Sequence, residues 1–151
     1  MDPDGNNSKR LTDAAGDESS PSWSPDGNTI IYSSMGKLYT IGITDVVPVQ
    51  LNNDSYSNVE PAYSPDGELI AFASNVGGDF DLWLMDSNAD SHIKITSDPS
   101  SEKSPAWSPD GNKIAYVSDR DGDFNIWVMS LETDNIEFEA IPEEKVTTNM
   151  K

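Results

Sequence analysis

A five-residue motif that occurs three times in phase constrains the fold of this chain more than any other feature. The copies are Trp23-Ser24-Pro25-Asp26-Gly27, Tyr63-Ser64-Pro65-Asp66-Gly67 and Trp107-Ser108-Pro109-Asp110-Gly111. Proline presets φ, aspartate bonds back to the backbone, and glycine adopts the positive φ of a tight turn. Each copy therefore predicts a hairpin turn between two short strands.

Apolar strands follow each turn in register. The second strands are predicted at residues 30–33, 70–73 and 114–117, and the third strands at residues 38–41, 82–85 and 126–129. The motif recurs after 40 residues, from position 23 to 63, and after 44 residues, from 63 to 107. A period of about 40 residues with four short strands per repeat is typical of a β-propeller blade. Both faces of these strands are apolar, so each blade needs a packing partner on both sides.

The repeat resembles the WD40-like PD40 repeat of TolB-type β-propellers. The resemblance rests on W-S-P-D-G, on the strand I-A-Y-V-S, on D-G-D-F-N-I-W-V-M and on the closing pair Ile95-Thr96. Tyr63 replaces tryptophan, and Leu51-Asn52 replaces the closing pair, as mild departures. Related repeats occur in the propellers of prolyl-oligopeptidase-like and tricorn-like proteases and in cell-surface proteins. The resemblance implies an all-β propeller segment and an extracytoplasmic location, periplasmic or at the cell surface.

The predicted organisation is three four-stranded antiparallel blades and one orphan strand. Residues 1–12 match the end of a blade and supply its outer strand, residues 13–52 form blade 1, residues 53–96 blade 2, and residues 97–151 blade 3 with an irregular acidic end. Residues 136–140 alternate apolar and acidic side chains and predict an edge strand, while residues 145–147 are a displaced closing pair. The orphan strand indicates either a piece of a longer propeller or a strand that closes another blade.

Composition limits the classes of partner. The 151 residues contain 27 acidic and 9 basic side chains, for a net charge of −18, and no cysteine. Such a surface repels phosphate backbones and anionic lipid, and it favours a protein partner with a basic surface. The absence of cysteine excludes disulfides, thiolate metal sites and a cysteine nucleophile from this chain.

Four acidic residues are the candidate contacts for such a partner or for a cation. By resemblance, the first strand of each blade lines a central channel and the polar linker before it lies at the channel mouth. Asp17, Glu18, Glu60 and Glu102 would then ring that mouth. The alternative is that they are solvated linker acids without a ligand.

A second acidic pattern precedes the third strand of blade 3. Asp119, Asp121 and Asp123 alternate oxygen ligands in a way that superficially indicates calcium. Counted from Asp119, however, the glycine falls at Gly122, the fourth position, and Ser130 stands where an EF-hand needs a bidentate glutamate. A structural turn is the simpler interpretation, and no cofactor is predicted.

The residues predict no catalytic group. His92, the one histidine, is expected in an exposed loop, and the motif serines are expected to cap their turns. The predicted function is therefore a non-enzymatic protein-protein interaction module. The alternatives are a fragment of the substrate-gating propeller of a serine peptidase and a glycan-binding propeller. Because three blades cannot close a ring and the family's rings have six or seven, two chains pairing head to tail would close a six-bladed ring.

Overall fold

The computed structural model describes residue 6, residues 8–131 and the backbone of residues 139–140. This part of the chain contains twelve strands and no helix, so it has no helix that could span a membrane. The strands are β1 Glu18–Trp23, β2 Thr29–Ser34, β3 Lys37–Gly42, β4 Val49–Gln50, β5 Asn58–Tyr63, β6 Leu69–Ser74, β7 Asp81–Asp86, β8 Ser91–Lys94, β9 Glu102–Trp107, β10 Lys113–Ser118, β11 Asn125–Ser130 and β12 Glu139–Ala140.

The strands form three antiparallel sheets, one for each repeat. β1 to β4 form blade 1 in chain order, β5 to β8 form the body of blade 2, and β9 to β11 form blade 3. Within each of these groups, every strand pairs with its sequence neighbour, as hairpin connections require. The predicted all-β propeller segment is confirmed.

The outer edges of the blades differ from the predicted arrangement. The edge strand predicted at residues 136–140 was expected beside the end of blade 3. Its described part, β12, pairs instead with β8 of blade 2, through Glu139 opposite His92 and Ala140 opposite Ser91. Blade 2 thereby has five strands, and blade 3 has three in the described part of the chain. Residues 132–138 and 145–147 lie outside the described residues.

The predicted orphan strand at residues 1–12 falls partly outside the described residues. Residue 6 and residues 8–12 form no strand in the structure. They nevertheless lie against blade 1, because Leu11 and Thr12 border a small surface depression together with Ile30, Tyr32 and Ile41. The Lys9 ammonium also donates to the carbonyl of Ile43.

The core consists of two layers, one on each side of blade 2. On one side Ile70, Phe72 and Met85 pack with Ile31 and Leu38 of blade 1. On the other side the core residues of blades 2 and 3 pack together, and these are Ala71, Ala73, Leu82, Leu84, Ile114 and Tyr116. Blade 2 is thus buried on both faces, as the two-sided apolar pattern of its strands predicts.

The closing pair at the end of each blade explains the departure at Leu51-Asn52. The Leu51 N–H donates to the carbonyl of Leu38 at 2.8 Å, and the Leu38 N–H donates to Asn52 Oδ1 at 2.7 Å. In blade 2 the Ile95 N–H and the Thr96 hydroxyl make the same two bonds with Leu82, each at 2.8 Å. The position requires a short side-chain oxygen acceptor, so asparagine replaces threonine without loss.

Candidate functional site

One concave surface is a groove lined by the first strands of all three blades. Its volume is about 590 Å³. Each blade contributes equivalent residues, which we call the bulge residue, the proline that follows it and the aromatic residue of the motif. These are Ser20, Pro21 and Trp23 in blade 1, Glu60, Pro61 and Tyr63 in blade 2, and Ser104, Pro105 and Trp107 in blade 3. We call this surface the first-strand groove.

Each first strand is interrupted by a β-bulge at the same place. Ser20, Glu60 and Ser104 have φ of 52°, 55° and 53°, a conformation that non-glycine residues rarely adopt. The pairing register shifts at each of these points. The residue that follows is proline, which has no N–H to donate to the ladder. Backbone strain of this kind costs about 1–3 kcal/mol per residue and is typical of functional sites.

The bulges of blades 2 and 3 are directly linked. Glu60 Oε2 accepts hydrogen bonds from the Ser104 N–H at 2.6 Å and from the Ser104 hydroxyl at 3.2 Å. Glu60 is partly exposed and lines the groove. It therefore presents a carboxylate between two neighbouring blades.

The motif aromatic residues connect each blade to the preceding one. Trp107 Nε1 donates to the carbonyl of Ala62 in blade 2 at 3.0 Å. Burial raises the pKa of Tyr63, and the charge of Asp26 in blade 1 adds to the shift. Trp23, at the same position in blade 1, is 59% exposed. The motif aromatic residue therefore contacts the preceding blade where such a blade is present.

The motif turns form the hydrogen bonds predicted from their sequence. In blade 2 the Ser64 hydroxyl donates to Asp66 Oδ1 at 2.5 Å and accepts from the Leu69 N–H at 2.9 Å. The Ser64 hydroxyl, followed by the Glu68 N–H, holds the pKa of Asp66 below its usual value. In the same way, the Ser24 hydroxyl lowers the pKa of Asp26, and the Ser108 hydroxyl lowers the pKa of Asp110. The turn glycines Gly27, Gly67 and Gly111 have φ of 71°, 79° and 74°.

The four candidate channel-mouth acids do not form a ring in the structure. Asp17 and Glu18 are exposed, and Glu18 borders the depression beside Leu11 rather than the groove. Only Glu60 lines the first-strand groove. Glu102 is fully buried, with 0% exposure, so the structure removes it from the surface where the sequence placed it.

Glu102 lies at the centre of a buried polar cluster. Its Oε1 accepts from the hydroxyls of Ser100 at 2.5 Å and Ser118 at 2.8 Å. The Arg120 guanidinium lies 3.8 Å from the same oxygen and pairs with Asp98 at 3.1 Å. Glu102 Oε2 is buried without a hydrogen-bond partner. The cluster holds the linker before blade 3 against the end of β10. The sequence did not reveal this role, because the equivalent residue is an exposed glutamate, Glu18, in blade 1 and an asparagine, Asn58, in blade 2.

The acidic turn before β11 is used for internal hydrogen bonding. Asp119 Oδ1 accepts from the Ser101 N–H at 2.8 Å, and the Asp119 carbonyl accepts from the Gly122 N–H at 2.8 Å. Asp121 and Asp123 are exposed. Within the described residues no three His, Cys, Asp or Glu side chains gather into a group that could hold a metal ion.

His92 lies in a strand rather than in the exposed loop expected from the sequence. It belongs to β8, is partly buried, and its ring centroid lies 5.4 Å from that of Trp83. Its environment is the packing of a blade edge.

A comparison with family models matches residues 1–150 to the PD40 family, described as the TolB β-propeller domain. The chain belongs to this family. Among curated PD40 relatives, the Tol-Pal system protein TolB of Anaeromyxobacter dehalogenans is 38% identical over 102 residues, covering 64% of this chain. The Tol-Pal system protein TolB of Francisella tularensis is 42% identical over 62 residues, covering 38% of it. The chain spans only 23% and 14% of these relatives' lengths.

Solved structures share the fold of this chain. TolB from Acinetobacter baumannii superposes with a TM-score of 0.74 at 22% identity, covering 91% of this chain and 35% of that one. A puromycin-hydrolyzing peptidase of Mycobacterium tuberculosis superposes with a TM-score of 0.67 at 16% identity, covering 89% of this chain and 23% of that one. The tricorn protease superposes with a TM-score of 0.60 at 15% identity, covering 79% of this chain and 14% of that one. These likenesses show the fold alone.

Proposed function

We propose that this chain is a non-enzymatic protein-interaction module that binds a protein partner through the first-strand groove. The observation that carries the proposal is that all three bulges and all three motif aromatics open onto this one surface. Repeated strain at Ser20, Glu60 and Ser104 is retained although it costs stability, which supports a role beyond packing. Membership of the TolB propeller family, with its Tol-Pal relatives, supports the same function.

The chemistry of the groove supports a basic partner segment. The chain carries a net charge of −18, and Glu60 places a carboxylate between the bulges of blades 2 and 3. A lysine- or arginine-rich segment would be attracted by this field, whereas nucleic acid and anionic membrane would be repelled. The family resemblance supports an extracytoplasmic location for this encounter.

A nuclear magnetic resonance titration of the full chain tests the proposal. The probes are two unstructured peptides of equal length, one lysine-rich and one glutamate-rich. We expect the lysine-rich peptide to shift the amide signals of Ser20, Glu60 and Ser104, and the glutamate-rich peptide to leave them unchanged. Shifts confined to the outer turns of the blades, or no shifts at all, would refute the groove as the binding surface.

A matched pair of charge-neutral variants sharpens this titration. Glu60→Gln removes the groove carboxylate, while Asp90→Asn removes an exposed carboxylate from the turn between β7 and β8. We expect Glu60→Gln to weaken binding of the lysine-rich peptide several-fold and Asp90→Asn to leave it unchanged. Equal weakening by both variants would indicate attraction to net charge rather than to the groove.

We also propose that the module acts within a six-bladed ring made by two chains. The chain provides three repeats, which is half the number that a six-bladed ring needs. A second copy of this chain would supply three more. Sedimentation of the full chain distinguishes a pair from a single chain of 16.5 kDa.

Neither alternative function is supported by a specific observation. The likeness to peptidase propellers is at 15–16% identity and carries the fold alone. A sugar-binding platform requires several exposed aromatic rings. Of the four tryptophans only Trp23 is mostly exposed, whereas Trp83, Trp107 and Trp127 are partly buried in the blade interfaces.

A further inference from the structure

Four pairs of aspartate followed by glycine lie in turns of the described part of the chain. Three belong to the repeated motif, and these are Asp26-Gly27, Asp66-Gly67 and Asp110-Gly111. The fourth is Asp121-Gly122 in the turn before β11. In each pair the glycine has no side chain, so its backbone nitrogen can be approached by the carboxyl group of the aspartate. The four pairs therefore share the same local covalent chemistry.

Exposure and backbone hydrogen bonding do not distinguish the four pairs. All four aspartates are exposed. In every pair the glycine N–H donates to the carbonyl three residues earlier, at 2.8–3.0 Å. A difference in reactivity between the pairs must therefore come from the contacts of the aspartate side chain.

The motif aspartates are each held by two hydrogen bonds. Asp66 Oδ1 accepts from the Ser64 hydroxyl at 2.5 Å and from the Glu68 N–H at 3.0 Å. Asp26 and Asp110 accept from the equivalent hydroxyl and N–H groups, at 2.6 and 3.0 Å and at 2.5 and 3.2 Å. These bonds fix the orientation of the carboxylate and favour its ionised form, which is a poor electrophile.

Asp121 has none of these contacts. Within the residues that the structure describes, its carboxylate makes neither a hydrogen bond nor an ion pair. The adjacent cation, Arg120, is engaged elsewhere, because its guanidinium pairs with Asp98 at 3.1 Å and lies 4.5 Å from the centroid of the Trp127 ring. The Asp121 carboxyl group is therefore free to rotate toward the nitrogen of Gly122.

The equivalent turn of blade 2 shows that this aspartate is not needed for the turn. Gly77 and Gly78 stand there at the positions of Asp121 and Gly122. The Gly78 N–H donates to the Asn75 carbonyl at 3.1 Å, as the Gly122 N–H donates to that of Asp119 at 2.8 Å. Asp121 is thus a reactive group that the turn itself does not employ.

We propose that Asp121 is a site of spontaneous isomerisation to isoaspartate, and that the hydrogen bonds of the motif turns protect Asp26, Asp66 and Asp110 from the same reaction. The Gly122 nitrogen attacks Asp121 Cγ, the new N–Cγ bond forms, and the carboxyl C–OH bond breaks. The nitrogen loses its proton to solvent, so one water molecule leaves and a succinimide remains. Water then opens the ring at either carbonyl and returns aspartate or isoaspartate.

The reaction would alter the turn that connects blade 3 to its linker. Isoaspartate carries the main chain through Cβ and Cγ, which lengthens the backbone before Gly122 by one atom. The same turn contains Asp119, whose Oδ1 accepts from the Ser101 N–H at 2.8 Å. Asp121 does not line the first-strand groove, so the modification is separate from the binding surface proposed above.

Ageing of the folded full chain in ¹⁸O-labelled water at mildly acidic pH tests the proposal. Peptide mapping by mass spectrometry locates the incorporated label, and methylation by an isoaspartyl methyltransferase identifies isoaspartate. We expect at least about ten-fold more isoaspartate at Asp121 than at any motif aspartate, because loss of one hydrogen bond to a charged group corresponds to a factor of that order. Equal amounts at the four sites, or none at Asp121, would overturn the proposal.

The unfolded chain provides the control for local sequence. In concentrated urea the motif hydrogen bonds are absent, and all four pairs keep the same aspartate and glycine. We expect the four aspartates to isomerise at comparable rates under these conditions. If Asp121 keeps the same preference in urea, the folded structure does not select it, and the proposal is wrong.

Two variants test the site and the protection separately. Asp121→Glu keeps the charge but requires a six-membered ring, which forms far more slowly, so the methyl-accepting signal of the folded chain should be lost. Ser108→Ala removes the hydroxyl that holds Asp110, so isoaspartate at Asp110 should rise several-fold while the circular dichroism is retained. A signal that survives Asp121→Glu refutes the site. An unchanged Asp110 in Ser108→Ala refutes the protection by the motif serine.

Discussion

The buried carboxylate of Glu102 offers the sharpest test of how blade 3 is held. In Glu102→Ala the hydroxyls of Ser100 and Ser118 lose their acceptor. Two hydrogen bonds to a charged group are worth about 1.5–3 kcal/mol each, and the unpartnered Oε2 offsets about 1–3 kcal/mol of that. The lost methylene adds about 0.8 kcal/mol. The expected loss of unfolding free energy is therefore about 3 kcal/mol.

The repeat provides both the control and the rescue for this substitution. Glu18 is the equivalent residue of blade 1 and is exposed, so Glu18→Ala should change stability by no more than about 0.5 kcal/mol. Asn58 is the equivalent residue of blade 2, where its amide donates to Asp54 at 2.9 Å. Glu102→Asn should therefore place an amide toward Asp98 and recover part of the loss.

Urea unfolding followed by tryptophan fluorescence at neutral pH measures these differences. The contrast between Glu102→Ala and Glu18→Ala is the decisive quantity. If both substitutions lower the unfolding free energy equally, or if neither does, the buried cluster does not anchor blade 3. If Glu102→Asn is as damaging as alanine, the equivalence of the two blades at this position is wrong.

Three further predictions concern the repeat itself. Gly111→Ala should lower the free energy of unfolding by about 1–2 kcal/mol because Gly111 has a positive φ, whereas Gly111→Asn should lower it less. Equal losses of stability in thermal unfolding would contradict the turn assignment. The folded-state pKa of Asp66 lies below its ordinary value of 3.8, so its contribution is present above that value and is lost as the pH falls through the folded pKa. Asp66→Asn should therefore flatten the acid end of the stability profile, and an unchanged profile would contradict this. Thr96→Val should cost about 1–3 kcal/mol by leaving the buried Leu82 N–H without its acceptor, whereas Thr96→Asn should be tolerated, as chemical unfolding would show.

The fold was predictable because several features of the sequence indicate the same structure. The motif turns, the register of the second and third strands and the two-sided apolar pattern all indicate blades, and the structure has them within one residue of the predicted bounds. Residues 30–33 lie inside Thr29–Ser34, and residues 82–85 lie inside Asp81–Asp86. Turn chemistry and hydrophobic period are local properties, so one sequence is enough to reveal them.

The site was less predictable because it depends on contacts between residues that are apart in the chain. Burial of Glu102 depends on Ser100, Ser118 and Arg120, which are brought together by the linker and the second strand of the same blade. The proline that follows Glu60 is a local signal for the bulge, but the sequence does not indicate that the glutamate itself adopts a positive φ. The pairing of β12 with β8 joins residues far apart in the chain, and hydrophobic alternation alone does not specify the partner strand.

Equivalent residues of the three blades have different environments because each blade is completed by its neighbours. Trp107 is hydrogen-bonded to blade 2 whereas Trp23 is 59% exposed, although both occupy the same place in the motif. Leu82 is fully buried between blades while Ile126, at the equivalent position, is 81% exposed. In a repeat protein, stability is approximately a sum of repeat terms and neighbour interfaces. A substitution at an end blade therefore measures whether a neighbour is present in solution, and the same substitution in blade 2 measures only packing within the chain.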